Sequence, residues 1–266
     1  MALELDLKGV EGVYESLRGL KRKRSLPTTP PLSIHDEDSV DIVNRAVHIL
    51  STEAAALSHV TRLYQTNSVA KDGLINAVDC VVEVNRRGGK LIICGIGKSG
   101  LVGMKTVATM KSLGLACSFM HAAEAVHGDL GDIRINDAVL FITFSGKTAE
   151  LVNLLPHIPE DTTVMVLTAT LNAEQCPLLA GRQDSILLPA PIRESEETSF
   201  GVCAPTTSTT VAIAVGDMLA LTVADRMHQD QTSDVFRKNH PGGAIGAKFF
   251  LIEVRNADES VSHVLE

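Results

Sequence analysis

The sequence predicts an α/β fold: a doubly wound, five-stranded parallel sheet flanked by helices on both faces. Three observations carry this expectation. Short β-rich apolar runs recur at 91–94, 116–120, 139–144, 164–167 and 186–188. Segments with helical spacing separate them at 101–113, 148–157 and 173–181. The runs lack the polar alternation of a half-exposed sheet, which is the signature of parallel strands buried on both faces.

The elements follow in order. Leu3, Leu7, Val10, Val13, Leu17 and Leu20 recur at helical spacing and predict a short amphipathic helix that must dock to be stable. It ends in the basic run Lys21-Arg22-Lys23-Arg24, read as a solvated segment with a nuclear-localisation signal as the alternative. Pro27-Thr28-Thr29-Pro30-Pro31 and Asp36-Glu37-Asp38 read as a linker, so residues 1–39 form an N-terminal extension. Val40, Val43, Val47, Leu50, Ala54, Leu57 and Val60 mark one long helix. Leu74, Val78, Val81 and Val82 mark a second, stopped at Gly88-Gly89. The sheet region comes next, and a last long helix over 207–227 leads into a polar segment with His240-Pro241-Gly242-Gly243. The main domain is expected over 40–252, with 253–266 a tail.

Composition excludes several classes of function. The 266 residues hold 45% hydrophobic and 21% charged side chains, ordinary for a folded globular chain. The 24 Lys and Arg against 32 Asp and Glu give a net charge of −8, the wrong sign for a nucleic-acid binder. Aromatics are only 3% with no Trp, too few for stacking platforms that grip single strands or long sugar chains. The five cysteines are at least 14 positions apart, so no CxxC metal knuckle exists and a reducing, cytoplasmic setting is expected. No apolar run approaches the roughly 18 residues that span a bilayer, and no membrane association is expected.

In doubly wound sheets, ligands bind at the carboxyl ends of the strands. The first strand is followed by Gly95-Ile96-Gly97-Lys98-Ser99-Gly100, a GxGxxG match in strand-to-helix context. A dinucleotide reading requires an acid at the end of the next strand, but Met120-His121 stands there, and Glu124 lies deeper in the loop. A Walker A reading of Gly97-Lys98-Ser99 or Gly146-Lys147-Thr148 fails as well, because Ile92 and Phe141 occupy the position of the leading glycine. What remains is a loop whose backbone N–H groups approach an anion at a helix start.

The third strand ends in Thr143-Phe144-Ser145-Gly146-Lys147-Thr148-Ala149-Glu150, where hydroxyls, amides and Lys147 together suit one phosphate. An ordinary helix N-cap is the alternative. A second hydroxyl cluster, Thr206-Thr207-Ser208-Thr209-Thr210, opens the last long helix and strengthens a sugar-phosphate reading. Between strands two and three, His121, Glu124 and His127 have the spacing HxxExxH, which matches neither zincin helix. The histidines read as hydrogen-bonding groups of a polar pocket. A loop packed by His121 and an adventitious metal site are the alternatives.

Taken together, five blocks in order resemble the arabinose-5-phosphate isomerase family of the sugar isomerase (SIS) domain class. They are Gly95-x-Gly97-Lys98-Ser99-Gly100, His121-x-x-Glu124-Ala125-x-His127-Gly128-Asp129-Leu130-Gly131, Ser145-Gly146-x-Thr148-x-Glu150, Ala204-Pro205-Thr206-Thr207-Ser208-Thr209-Thr210 and His240-Pro241-Gly242-Gly243-Ala244-x-Gly246. The resemblance implies interconversion of ribulose 5-phosphate and arabinose 5-phosphate without a required cofactor. It implies catalytic groups at Lys98, Glu150, Glu197 and His240, with His240 reaching a neighbouring subunit's site in a homo-oligomer, a tetramer. It implies substrate contacts at Gly97, Ser99, His121, His127, Ser145, Gly146, Lys147, Thr148, Thr206, Thr207 and Ser208, and no required metal, with His121 a place where inhibitory zinc can bind.

The chain departs from the family pattern at two loops. His121-Ala122-Ala123-Glu124 stands for His-Pro-Gly-Glu, and Thr143-Phe144-Ser145-Gly146-Lys147 for Ser-Asn-Ser-Gly-Glu. Ser199-Phe200 replaces a Cys-Pro pair before Ala204. Many relatives carry a pair of CBS domains after the isomerase domain, and this chain is expected to lack them.

An aldose–ketose isomerisation through an enediol needs a C1/C2 base, a shuttle between O1 and O2, and positive charge at the oxyanion. The expected roles are Glu150 as base, His240 as ring-opening group or shuttle, Glu197 as its partner and Lys98 as enediolate stabiliser. The rival reading is a non-catalytic sugar-phosphate sensor built on the same domain.

Overall fold

The computed structural model describes residues 37–182 and 184–242. The expected helix over Leu3–Leu20, the Lys21–Arg24 run, the block from Gly243 onward and the 253–266 tail lie outside the described residues. By compactness the chain divides at Ala46 and Val47 into two units. The described part of the first unit, 37–46, is helical, with Val40, Ile42 and Val43 exposed. The second unit holds the sheet.

Five strands, β1 (Leu91–Gly95), β2 (Cys117–His121), β3 (Ala138–Ile142), β4 (Thr163–Thr168) and β5 (Ile186–Pro189), pair in the order β2-β1-β3-β4-β5, all parallel. Their Ile, Val and Leu content suits a pleated surface covered on both sides, and β1 and β3 are buried at every position. Alternate strand residues feed two cores. Leu91, Ile93, Leu140, Met165 and Leu188 pack with helices on one face, and Ile92, Cys94, Phe141, Val166 and Leu187 pack on the other. Each such side chain contributes about 1.5–3 kcal/mol on burial.

The first face is covered by the part of α1 (Glu37–Thr66) that begins at Ala56, and by α2 (Ser68–Arg86), α3 (Gly97–Ser112) and α7 (Thr207–His228). Helix α2 starts where Asn67 accepts the N–H of Ala70 at 3.0 Å. Only from Ala56 onward does α1 bury its apolar stripe, and Val47 and Leu50 stay exposed. Helix α7 opens a helical stretch, Thr207–Asn239, that is long and apolar enough by composition to cross a membrane, with a mean hydropathy of 1.5 over an 18-residue apolar window. It is nevertheless the central helix of this face, and more than half of that apolar window is buried. The second face is covered by short elements, α4 (Ala122–Ala125), α5 (Ala149–Leu154) and 3-10 turns.

One expectation is corrected. The segment 173–181 is not an α-helix but two 3-10 turns, Ala173–Gln175 and Pro177–Leu179. Asn172 caps the first, and Pro177 at the start of the second lacks the N–H that a continuous helix would need. The acidic stretch before the last long helix forms a short helix, α6 (Glu196–Phe200). Ser195 caps it by accepting the N–H of Thr198 at 3.1 Å, and it ends at Gly201, whose φ of +76° reverses the chain. A further helix, α8 (Thr232–Asn239), ends at His240.

Candidate active site

The carboxyl ends of the five strands lie along one edge of the sheet. The chain runs from β1 outward to β2 on one side and returns to β3 on the other, so the crevice between β1 and β3 is the topological switch point. Two chain reversals flank it, the start of α3 after Gly95 and the β3–α5 loop from Thr143 to Thr148.

Both helix starts at this crevice are open. Ile96 precedes α3 and offers no side-chain cap, and Thr148 precedes α5 without capping it. The Thr148 hydroxyl lies instead 2.7 Å from that of Thr143. Ser145 Oγ accepts the N–H of Lys147 at 3.1 Å, which curls the loop. From below, the Phe144 carbonyl accepts the Ala169 N–H at 2.9 Å and the Thr168 hydroxyl at 3.0 Å. The buried Cys176 thiol donates to the Gly146 carbonyl at 3.7 Å. The loop is thus pinned on its inner side while Ser145 and Lys147 stay exposed. Unpaired N–H groups at a helix start, a hydroxyl and an ammonium group suit an anion.

The third helix start, that of α7, is closed. Glu196 Oε1 accepts the Thr206 N–H at 2.9 Å, the Ser208 N–H at 3.0 Å and the Ser208 hydroxyl at 2.6 Å. Partial burial pushes this carboxyl up, but the hydrogen bonds from Ser208 and Thr206 outweigh it and hold Glu196 below the usual carboxylate range. A carboxylate of the chain therefore occupies the helix start whose hydroxyl-rich sequence strengthened the sugar-phosphate reading. Thr207 is buried with its hydroxyl unpartnered, and of Thr206, Thr207 and Ser208 only Ser208 lines the cavity beside them.

That cavity, of about 510 Å³, runs from the start of α3 across the ends of β3 and β4 to α6 and α7. It brings together Lys98, Ser99, Glu197 and Ser208 of the expected residues, with Phe144 and Cys203 beside them. The Glu197 carboxylate hydrogen-bonds the exposed Cys203 thiol and, chiefly by that bond, raises the thiol above its ordinary range. Gly97, Ser145, Gly146, Lys147, Thr148 and Glu150 lie in the two reversals at the switch point and do not line this cavity. Glu150 is exposed in the first turn of α5.

His121 stands opposite Gly95 in the β1–β2 register. Its Nδ1 accepts the Ala123 N–H at 3.3 Å and caps α4, which leaves the ring proton on Nε2 in the neutral form. His127 is exposed in the turn after α4. Among the described residues, no group of three or more His, Cys, Asp or Glu forms a metal set, so His121, Glu124 and His127 do not converge.

His240 lies elsewhere. Its Nδ1 is 2.9 Å from the Phe236 carbonyl, its Nε2 is 3.2 Å from the Ser112 hydroxyl, and its ring stacks on Phe236 at 4.0 Å. Ser112 ends the helix that Gly97 begins, so His240 sits about 22 Å along α3 from the cavity of its own chain.

Sequence reasoning missed Glu196 and Cys203. The cap at Ser195 and stop at Gly201 signal the short helix that carries Glu196, but no local pattern announces Cys203. A larger hollow of about 860 Å³, lined by Asp79, Glu83, Arg134 and Asp184 among others, lies at the amino ends of the strands and holds none of the motif residues.

The SIS domain family matches residues 86–222 of the chain. Arabinose 5-phosphate isomerase KdsD of Pseudomonas aeruginosa is 38% identical over 179 residues, 66% of this chain and 52% of that protein. Arabinose 5-phosphate isomerase GutQ of Salmonella typhi is 37% identical over 177 residues, 66% of this chain and 52% of that protein. The chain spans between about half and three-fifths of the length of the curated relatives it matches. The solved structure of Escherichia coli CFT073 c3406 in complex with arabinose 5-phosphate superposes with a TM-score of 0.60 at 26% identity, covering 75% of this chain and 98% of that one.

Proposed function

The chain belongs to the SIS domain family, and on that premise we propose that it is an aldose–ketose isomerase of a sugar phosphate, with arabinose 5-phosphate and ribulose 5-phosphate as the substrate pair. The observation that carries the reading is the switch-point crevice, where two uncapped helix starts adjoin a cavity holding both Lys98 and Glu197. The phosphate group is held by the β3–α5 loop, through Ser145, the loop N–H groups and Lys147. That orientation sends the C1–C2 end of the open-chain sugar toward Lys98 and Glu197.

From the ketose, the Glu150 carboxylate takes a proton from C1 and the electron pair forms the C1–C2 double bond of a cis-enediol. The Glu150 carboxyl exchanges its proton with solvent and then delivers a proton to C2 to give the aldose. A proton moves from O1 to O2 in the same passage, with His240 and Glu197 as the shuttle. The Lys98 ammonium stabilises the enediolate oxygen from the rim of the cavity at the start of α3. Each acid–base group is worth about 10²- to 10⁴-fold.

Because His240 sits far from its own cavity, it serves the cavity of another copy. The protein works as a homo-oligomer, a tetramer by family resemblance. The exposed Val47 and Leu50 of α1 are consistent with surface that packs between copies. Five free cysteines suit a reducing, cytoplasmic setting.

The test is turnover of a panel of pentose and hexose phosphates by the wild-type protein and by Glu150→Gln. The expected result is isomerisation of at least one pentose phosphate, with kcat lowered about 10²-fold or more in Glu150→Gln and KM little changed. Tight binding without turnover of any sugar phosphate would replace the enzyme by a sensor. Equal losses in kcat and KM would remove Glu150 as the base.

A further inference from the structure

Residues 191–206 form the wall of the cavity that carries Glu197, Cys203 and Pro205, and none of their side chains is fully buried. Apolar packing on the core holds this wall only near its start, at the partly buried Ile192. Elsewhere its position rests on polar contacts, and the densest of them is at Glu196. A single carboxylate oxygen gathers two backbone N–H groups and a hydroxyl from Thr206 and Ser208, folding the start of α6 onto the start of α7. The second anchor holds the other end of α6, where His48 Nε2 lies 3.1 Å from the Ser199 carbonyl and the His48 ring meets Phe200 edge-on at 6.0 Å.

We infer that Glu196 is a positioning residue of the isomerase, locking α6 to α7 so that Glu197 on one side of the lock and Ser208 on the other face the same sugar. Three features support this. The three donors converge on one oxygen, which fixes direction as well as distance. Carboxylates accept such bonds more strongly than neutral oxygens do. The residue next to the lock, Glu197, is one to which the proposed mechanism gives a proton. Glu196 does not itself take part in the proton transfers, because its acceptor oxygen is committed. The lock also directs the substrate phosphate to the other helix starts, since the α7 start is already filled by this carboxylate.

The inference rests on the isomerase reading, and two variants separate it from that reading. Glu196→Ala removes the acceptor, and Glu196→Gln keeps an oxygen that can accept the same three bonds without charge. Glu196→Ala is expected to lower kcat about tenfold or more with KM for the sugar phosphate changed less than about threefold, and Glu196→Gln to recover most of the loss. Amide exchange at Thr206 and Ser208 reports the lock without any turnover. Both amides are expected to be protected in the wild-type protein and to exchange faster in Glu196→Ala. Unchanged exchange in Glu196→Ala, unchanged kcat in an active protein, or parallel losses in kcat and KM without rescue by Gln would each overturn the proposal. A wild-type protein with protected amides but no turnover of any sugar phosphate would overturn the isomerase reading and, with it, the positioning role. The Glu196 contact would then survive only as a structural one.

Discussion

The substitution Gly146→Ala tests how tightly the β3–α5 loop is built. Gly146 has φ +68°, a left-handed conformation that costs a residue with a Cβ about 1–2 kcal/mol. Its new Cβ would stand 3.0 Å from Cys176 Sγ and 3.2 Å from Thr168 Oγ1, both closer than ordinary van der Waals contact. Crowding of that kind costs about 1–3 kcal/mol, so the loss of stability should total about 2–5 kcal/mol. Cys176→Ala removes the nearer obstacle and leaves the backbone cost in place. In that background, Gly146→Ala should cost about 1–2 kcal/mol less than in the wild-type protein, a coupling well above the roughly 0.3–0.5 kcal/mol within which independent sites add. Urea denaturation of the four proteins measures it. Additive losses would refute the contact, and a neutral Gly146→Ala would refute the loop geometry altogether.

Three further predictions follow from the carboxylates of α6 and from the exposed face of α1. The folded Glu196 carboxyl titrates below its ordinary 4.5, so its stabilisation is complete above that pH and is lost as pH falls through the lower folded value. The stability difference between wild type and Glu196→Gln should therefore be constant near neutrality and shrink in acid denaturation series, and a pH-independent difference would contradict it. The Cys203 thiol is raised by Glu197, so Glu197→Gln should shift the pH profile of iodoacetamide labelling at Cys203 to lower pH, and an unmoved profile would break the pair. Leu50 is 68% exposed, so Leu50→Glu should change the stability of a single copy by no more than about 0.5 kcal/mol. By light scattering the same variant should give a smaller species, and an unchanged mass would exclude this face from the assembly.

Much of the scaffold was legible because buried parallel strands must be runs of β-branched and apolar residues. All five strands appear where such runs occur, although β3 stops at Ile142 rather than Phe144. Thr143 still donates its N–H to Leu167, but its hydroxyl turns to Thr148 and the chain leaves the sheet. The short elements were harder to read. A helical pattern over 173–181 lost to Pro177 and to the cap at Asn172, while a cap and a stop only six residues apart hid α6 inside an acidic stretch. The glycine-rich loop and the Ser145 loop were legible as open helix starts, because glycine and small hydroxyl residues have few other uses after a parallel strand. The α7 start looked equally open in sequence. Glu196 closes it from ten and twelve residues upstream, a tertiary contact that composition and spacing do not encode. The same holds for His240, whose separation from the cavity is set by the length of α3 and the docking of α8 on its far end.

The proposed isomerisation turns on proton transfer between C1 and C2 of a sugar phosphate. The direct measurement is incubation with ribulose 5-phosphate in heavy water, with the aldose product examined by proton NMR. An enediol formed by a solvent-exchangeable carboxylate places deuterium at C2 of arabinose 5-phosphate. Absence of any aldose from ribulose 5-phosphate, or aldose that keeps protium at C2 throughout, would contradict it.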